Sequence, residues 1–236
     1  MNSAQHAPPS GLAELQAAYL HAMQLGSGRA ADAVLQNALD SKMAAGDIYL
    51  DLFQPTSSAI GKLWQRNAMS VAQEHLATAI IERQMGELHP LFKPVRSRTQ
   101  TLVIGCVHKE MHRVGVRMAA DFFEQDGWNV YNLGASVPTE QFVWMAREMK
   151  ADLIGLGSQL IYTLPAIGEF VRELDRRGMG GIPVIAGGLP FVQQPDLYKS
   201  LGVHFAGADA RAAVAHADEL FGGAPGAATH QGGEHD

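Results

Sequence analysis

Near residue 99 the hydrophobic rhythm of this chain changes, and few folds accommodate both halves of it. From Leu12 to about Leu91 apolar residues recur every three to four positions, beginning with Leu12, Leu15, Tyr19 and Met23, the period of amphipathic helices. Gly26 to Gly28 interrupts the first helix. Further helices are expected from about Ala30 to Ala44, from Ile48 to Trp64 with Pro55 near the start, and from Ser70 to Leu88. Ser70 followed three residues later by Gln73 reads as a capping box. Short connections between four helices suggest a small bundle.

The segment His89 to Thr99, with Pro90 and Pro94, interrupts helix and strand alike and reads as a linker. Beyond it, apolar runs at Thr101 to Val107, Asn129 to Leu133, Leu153 to Leu156, Pro183 to Ala186 and Val203 to Ala206 alternate with helical stretches. That alternation is the signature of a parallel sheet. The expected fold class is therefore α/β, a flavodoxin-like or Rossmann-like five-stranded parallel sheet preceded by a four-helix bundle. Its domains are a flexible tail over 1–11, a helical bundle over 12–92, an α/β domain over 100–221 and a disordered tail over 222–236. His230 and His235 in that last tail could meet stray metal, but read as solvated.

Composition narrows the function classes. A net charge of -6 and a pI near 5.9 exclude a broad basic footprint for nucleic-acid phosphates. The single cysteine, Cys106, rules out a disulfide framework and suits a reducing compartment. No apolar stretch approaches the ~20 residues of a membrane span, and Met1 to Ser10 lacks the regions of a signal peptide, so a cytoplasmic location is expected. Gly178 to Gly181 has no phosphate-loop lysine, and no nucleophile with a matched base emerges. The chain is not expected to be an enzyme in its own right.

In a doubly wound fold the ligand lies at the carboxyl ends of the strands. The loop after the first expected strand, Val107 to Gly115, places His112 there, with Glu110 two residues before it. A carboxylate at that spacing can bind one ring nitrogen and leave the other for a metal. Gly115 lets the backbone approach something bulky.

Glu110-x-His112-x-x-Gly115 is followed, after 42 residues, by Ser158-x-Leu160 and, after 26 more, by Gly187-Gly188. This three-part pattern resembles the cobalamin-binding domain. The resemblance implies a base-off, histidine-on cobalamin: His112 as the lower axial cobalt ligand, Glu110 behind it, and a nucleotide slot lined by Gly115, Ser158, Leu160, Gly187 and Gly188. Many members have Asp where this chain has Glu110.

A second pattern, Trp64 followed after nine residues by Glu74-His75, is similar to that of the adenosylcobalamin photoreceptors, the light-dependent repressors of carotenoid genes. The likeness implies that Trp64, Val71, Glu74 and His75 surround the upper ligand of adenosylcobalamin, and that photolysis alters cobalt ligation, cap packing and partner binding. Two departures stand out. Those repressors have a histidine directly after the tryptophan, where this chain has Gln65, a poor cobalt ligand. They also carry a DNA reader that is not expected here. The output is then expected to be a homo-oligomer such as a dimer, or a protein partner such as a transcription factor, as in the antirepressors of photosynthesis genes. The related photocobilins also bind a bilin, so a bilin is carried as a second possible cofactor. The alternative is a corrinoid methyl-carrier protein of a methyltransferase system, which has the same architecture.

Overall fold

The computed structural model describes residues 11–194 and 196–222. The expected tails, apart from Gly11 and Gly222, lie outside these residues, as do His230 and His235. The described chain falls into two compact units that part between Arg96 and Ser97.

The first unit is helical: α1 (Leu12–Gln24), α2 (Gly28–Asp40), a short α3 (Ala45–Asp47) that runs through a π-helical segment (Ile48–Phe53) into α4 (Gln54–Gln65), and α5 (Val71–Leu88). Ser27 starts α2 by accepting from the Ala30 N–H, and the Ser70 and Gln73 capping box starts α5. The second helix ends at Asp40 rather than Ala44, because Lys42 adopts a left-handed φ of 63° that breaks the helical path. The π segment sits where the apolar period showed only continuous helix. Pro55 has no N–H to offer the Asp51 carbonyl four residues back, and Gln16 Nε2 of α1 donates to that carbonyl at 2.5 Å. Tyr19, Phe53 and Tyr49 stack in the core, with centroids 5.5 and 5.6 Å apart in successive pairs.

The second unit alternates strand and helix: β1 (Thr101–Cys106), α6 (Val114–Gln125), β2 (Asn129–Asn132), α7 (Thr139–Glu148), β3 (Leu153–Gly157), α8 (Leu164–Arg176), β4 (Val184–Gly187), α9 (Leu189–Gln193), α10 (Leu197–Leu201), β5 (His204–Phe205) and α11 (Ala210–Leu220). All pairings are parallel, in the order β2-β1-β3-β4-β5. This is the flavodoxin-like order expected of the fold class. Its topological switch point lies at β1 and β3. One face is filled by Phe142, Phe170, Ile167 and Phe191, the other by Phe123, Trp128, Val116 and Ala217. Arg98, nearly buried, pairs with Asp126 at 2.7 Å and with Asp218, and its guanidinium lies 5.3 Å from the Trp128 ring centroid. The turn after α6 is thereby tied to α11. No helix among the described residues is long and apolar enough to cross a membrane.

Candidate functional site

Strand β1 ends at Cys106, and α6 does not begin until Val114, so residues 107–113 form an open loop at the carboxyl edge of the sheet. Val107 N–H donates to the Gly157 carbonyl at 3.1 Å, and Glu110 N–H donates to Val107 at 3.0 Å. The loop thus turns back under itself and directs the Glu110 side chain inward, where it is fully buried.

A buried carboxylate is costly unless every lone pair finds a donor. Glu110 Oε1 takes the His112 backbone N–H at 2.9 Å and lies 2.6 Å from His112 Nδ1. Its Oε2 takes the N–H groups of Gln159 at 2.8 Å and Leu160 at 3.1 Å, and the Thr163 hydroxyl at 3.1 Å. Burial pushes the Glu110 carboxyl up, but the hydrogen bonds from His112 and Gln159 outweigh it and hold the group at about 2. Glu110 is therefore ionised at neutral pH, and His112 Nδ1 is the donor between them. This fixes the tautomer: a metal would take Nε2. The His112 side chain is 40% exposed, against 0% for Glu110.

Ser158 follows β3 and is buried. Its hydroxyl lies 2.7 Å from that of Thr163, which is also 2.7 Å from the Leu160 carbonyl. Each hydroxyl has one proton, so Ser158 can donate to Thr163 while the Thr163 proton is shared between the Leu160 carbonyl and Glu110. Ser158 N–H donates to the Gly187 carbonyl at 3.0 Å. Gly188 has φ +129°, and a Cβ there would lie 2.0 Å from the Ser158 carbonyl oxygen. Only glycine fits this crossing. Gly115 is different, because an added Cβ would meet nothing within 4 Å. Around the loop, Met111, Ile161, Tyr162 and Leu189 remain exposed.

The structure thus gathers Glu110, His112, Ser158, Leu160, Gly187 and Gly188 at the ends of β1, β3 and β4, with Gly115 in the first turn of α6. Thr163 is not among the residues that the sequence motifs single out. A threonine just before Leu164-Pro165 looks like a helix N-cap, but its side chain makes no cap bond and serves Glu110 and the Leu160 carbonyl instead. Cys106 is buried beneath the loop, and burial, with Glu110 nearby, pushes its thiol up to about 12. It stays protonated and is no nucleophile.

The other expected residues lie in the helical unit. Trp64 closes α4 and is 37% exposed; Val71 opens α5 and is exposed. Glu74 lies 2.6 Å from His75 Nδ1 and accepts from the Thr78 hydroxyl at 3.0 Å.

Residues 100–215 match the family model of the B12 binding domain, and residues 15–89 match a second model of the same description. The chain carries a pair of B12-binding domains. Among its curated relatives, dimethylamine corrinoid protein 1 of Methanosarcina acetivorans is 27% identical over 165 residues, covering 69% of this chain and 76% of that protein. Dimethylamine corrinoid protein 2 of the same organism is 29% identical over 166 residues, covering 68% and 72%. In fold, the B12-binding pair is similar to the monomethylamine corrinoid protein of Methanosarcina barkeri, with a TM-score of 0.79 at 15% identity over 89% of this chain and 100% of that one.

These relatives overturn the photoreceptor reading, and with it light sensing, transcription regulation and a transcription-factor partner. The expectation of a bilin falls with the reading it came from. The spacing of Trp64, Glu74 and His75 misleads for a physical reason. In the first turn of α5 a carboxylate is favoured by the helix dipole, and Glu74 is satisfied by its own neighbours, His75 and Thr78. These local contacts are what any such helix start offers, and they select no photochemistry.

Proposed function

We propose that this B12-binding pair is a corrinoid methyl-carrier protein, in which His112 Nε2 binds cobalt and a methyltransferase partner takes up and delivers the methyl group. One observation carries the reading: the buried, ionised Glu110 accepts from His112 Nδ1 and leaves Nε2 as the coordinating nitrogen. The surroundings fit a corrinoid. Open space beside Gly115 admits a bulky group, and the exposed Met111, Ile161, Tyr162 and Leu189 offer apolar surface to a macrocycle. A bound corrinoid supplies a cobalt centre that alternately accepts and releases a methyl group.

The chain's own residues hold and orient that group. Glu110 keeps the imidazole in one tautomer. Ser158 and Thr163 keep Glu110 in place, and Gly188 lets the loop after β4 press against Ser158. Residues 15–89 of the helical unit match a B12-binding model of their own, so Trp64, Val71, Glu74 and His75 stay candidates for cofactor contacts. The bond-making enzyme is the partner, and methylated amines are the first donor class to test, given the two relatives. A cytoplasmic location accords with the single protonated thiol.

The test is reconstitution of the wild-type protein and His112→Ala with hydroxocobalamin. Loss of the histidine-ligated absorption spectrum together with weaker binding is expected. An unchanged spectrum and affinity would remove His112 as the ligand.

A further inference from the structure

Two non-glycine residues near His112 adopt left-handed backbone, Lys109 with φ 68° and Ser136 with φ 50°. Such conformations are uncommon outside glycine, asparagine and aspartate. Here the two residues face each other. Lys109 N–H donates to Ser136 Oγ at 3.0 Å, and Ser136 N–H donates to the Glu110 carbonyl at 2.8 Å. Ser136 comes from the loop between β2 and α7, which is itself fastened to β1: Cys106 N–H donates to Gly134 at 2.8 Å, and Val137 N–H donates to Cys106 at 3.2 Å.

The peptide units on either side of residue 109–110 are therefore gripped from outside the loop by one residue. The Glu110 carboxylate can accept from His112 Nδ1 only while its backbone holds that place. The geometry sets a limit, since a contact of 2.6 Å that lengthens by ~1 Å is no longer a hydrogen bond. We infer that Ser136 is a positioning residue for His112: by pinning the Lys109 N–H and the Glu110 carbonyl it aims the Glu110 carboxylate, and through it the imidazole, at the cobalt. This inference rests on His112 being the cobalt ligand. Ser136 touches Lys109 and Glu110 and need not touch the cofactor.

The side-chain requirement is specific. Position 136 must tolerate positive φ and present an acceptor. Glycine meets the first condition only, whereas asparagine meets both. The test compares the wild type, Ser136→Gly, Ser136→Asn and His112→Ala, each labelled with 15N-histidine, reconstituted with cobalamin and reduced to the Co(II) state. Electron paramagnetic resonance then reports an axial histidine as two superhyperfine lines instead of the three given by 14N. Cobalamin titration reports affinity, and thermal unfolding of the apoprotein reports the fold.

Ser136→Gly is expected to lower the histidine-ligated fraction and weaken binding about 3- to 10-fold, the loss of one hydrogen bond, while unfolding within a few degrees of wild type. Ser136→Asn should restore both signals. A glycine variant with wild-type ligation and affinity overturns the inference. So does one that loses ligation only in proportion to its stability, without rescue by asparagine. If His112→Ala keeps the wild-type signal, the reading of His112 itself falls first.

Discussion

Exchange of Glu110 for glutamine tests the centre of the site at nearly constant volume. The carboxylate serves five donors, two on Oε1 and three on Oε2. An amide has one oxygen acceptor and one NH2, so either orientation turns the NH2 toward donors. With the oxygen toward Gln159 and Leu160, the NH2 faces His112, and the imidazole must move its proton to Nε2, the nitrogen a metal needs. With the opposite orientation the N–H groups of Gln159 and Leu160 lose their acceptor. The size of the loss follows from the charge. Glu110 is held at about 2 against an ordinary 4.5, which at about 1.4 kcal/mol per pKa unit corresponds to about 3 kcal/mol of folding free energy. Because the folded-state value is the lower one, this contribution is complete above about pH 4.5 and fades as the pH falls toward 2. Urea unfolding of the apoprotein should show Glu110→Gln about 3 kcal/mol less stable at pH 7, with the gap to wild type narrowing below pH 4. Cobalamin affinity should fall about 10- to 100-fold, as for other partners behind a ligating histidine. A variant within ~0.5 kcal/mol of wild type at pH 7, where surface substitutions fall, would refute the argument that a paired, ionised Glu110 organises the loop.

Substitutions at three other positions separate the folding needs of the site from its binding needs. Gly188→Ala drives a Cβ to 2.0 Å from the Ser158 carbonyl at φ +129° and should cost more than ~3 kcal/mol, seen as a lower urea midpoint or insoluble protein; a stable variant would show that the loop after β4 can retreat. Gly115→Ala should do the reverse, since nothing lies within 4 Å and alanine favours the helix by up to ~1 kcal/mol. The apoprotein gains stability while cobalamin binding weakens, and unchanged binding would mean that the open space is not used. Thr163→Val removes the hydroxyl that links Ser158 to Glu110 and should cost about 1–3 kcal/mol with loss of histidine ligation, whereas Thr163→Ser should behave as wild type; equal effects of the two would assign Thr163 to packing.

Much of the fold is legible in the amino-acid sequence. The change of hydrophobic period near residue 99 announces a helical unit and a parallel α/β unit, because the face a residue buries is set by the local geometry of helix or strand. The Ser70 and Gln73 cap is readable for the same reason, and so is the contact between Glu110 and His112, only two residues apart. Function is less legible there. The photoreceptor reading depends on a short spacing of Trp64, Glu74 and His75 in which the Glu74 carboxylate is satisfied within one helix turn by His75 and Thr78, and the corrinoid-protein relatives overturn it.

Only the tertiary structure decides what stands behind the histidine. Strands β1 and β3 are neighbours although some fifty residues separate them, so the Glu110 carboxylate meets Gln159, Leu160 and Thr163; β2 lies on the other side of β1, so the Glu110 carbonyl meets Ser136. The pairing of β3 with β4 brings Gly188 against Ser158. Hydrophobic period carries no record of these meetings. They depend on strand order and register, which are set by the packing of whole sheet faces, and the polar groups at the sheet's edge take the partners that this packing delivers.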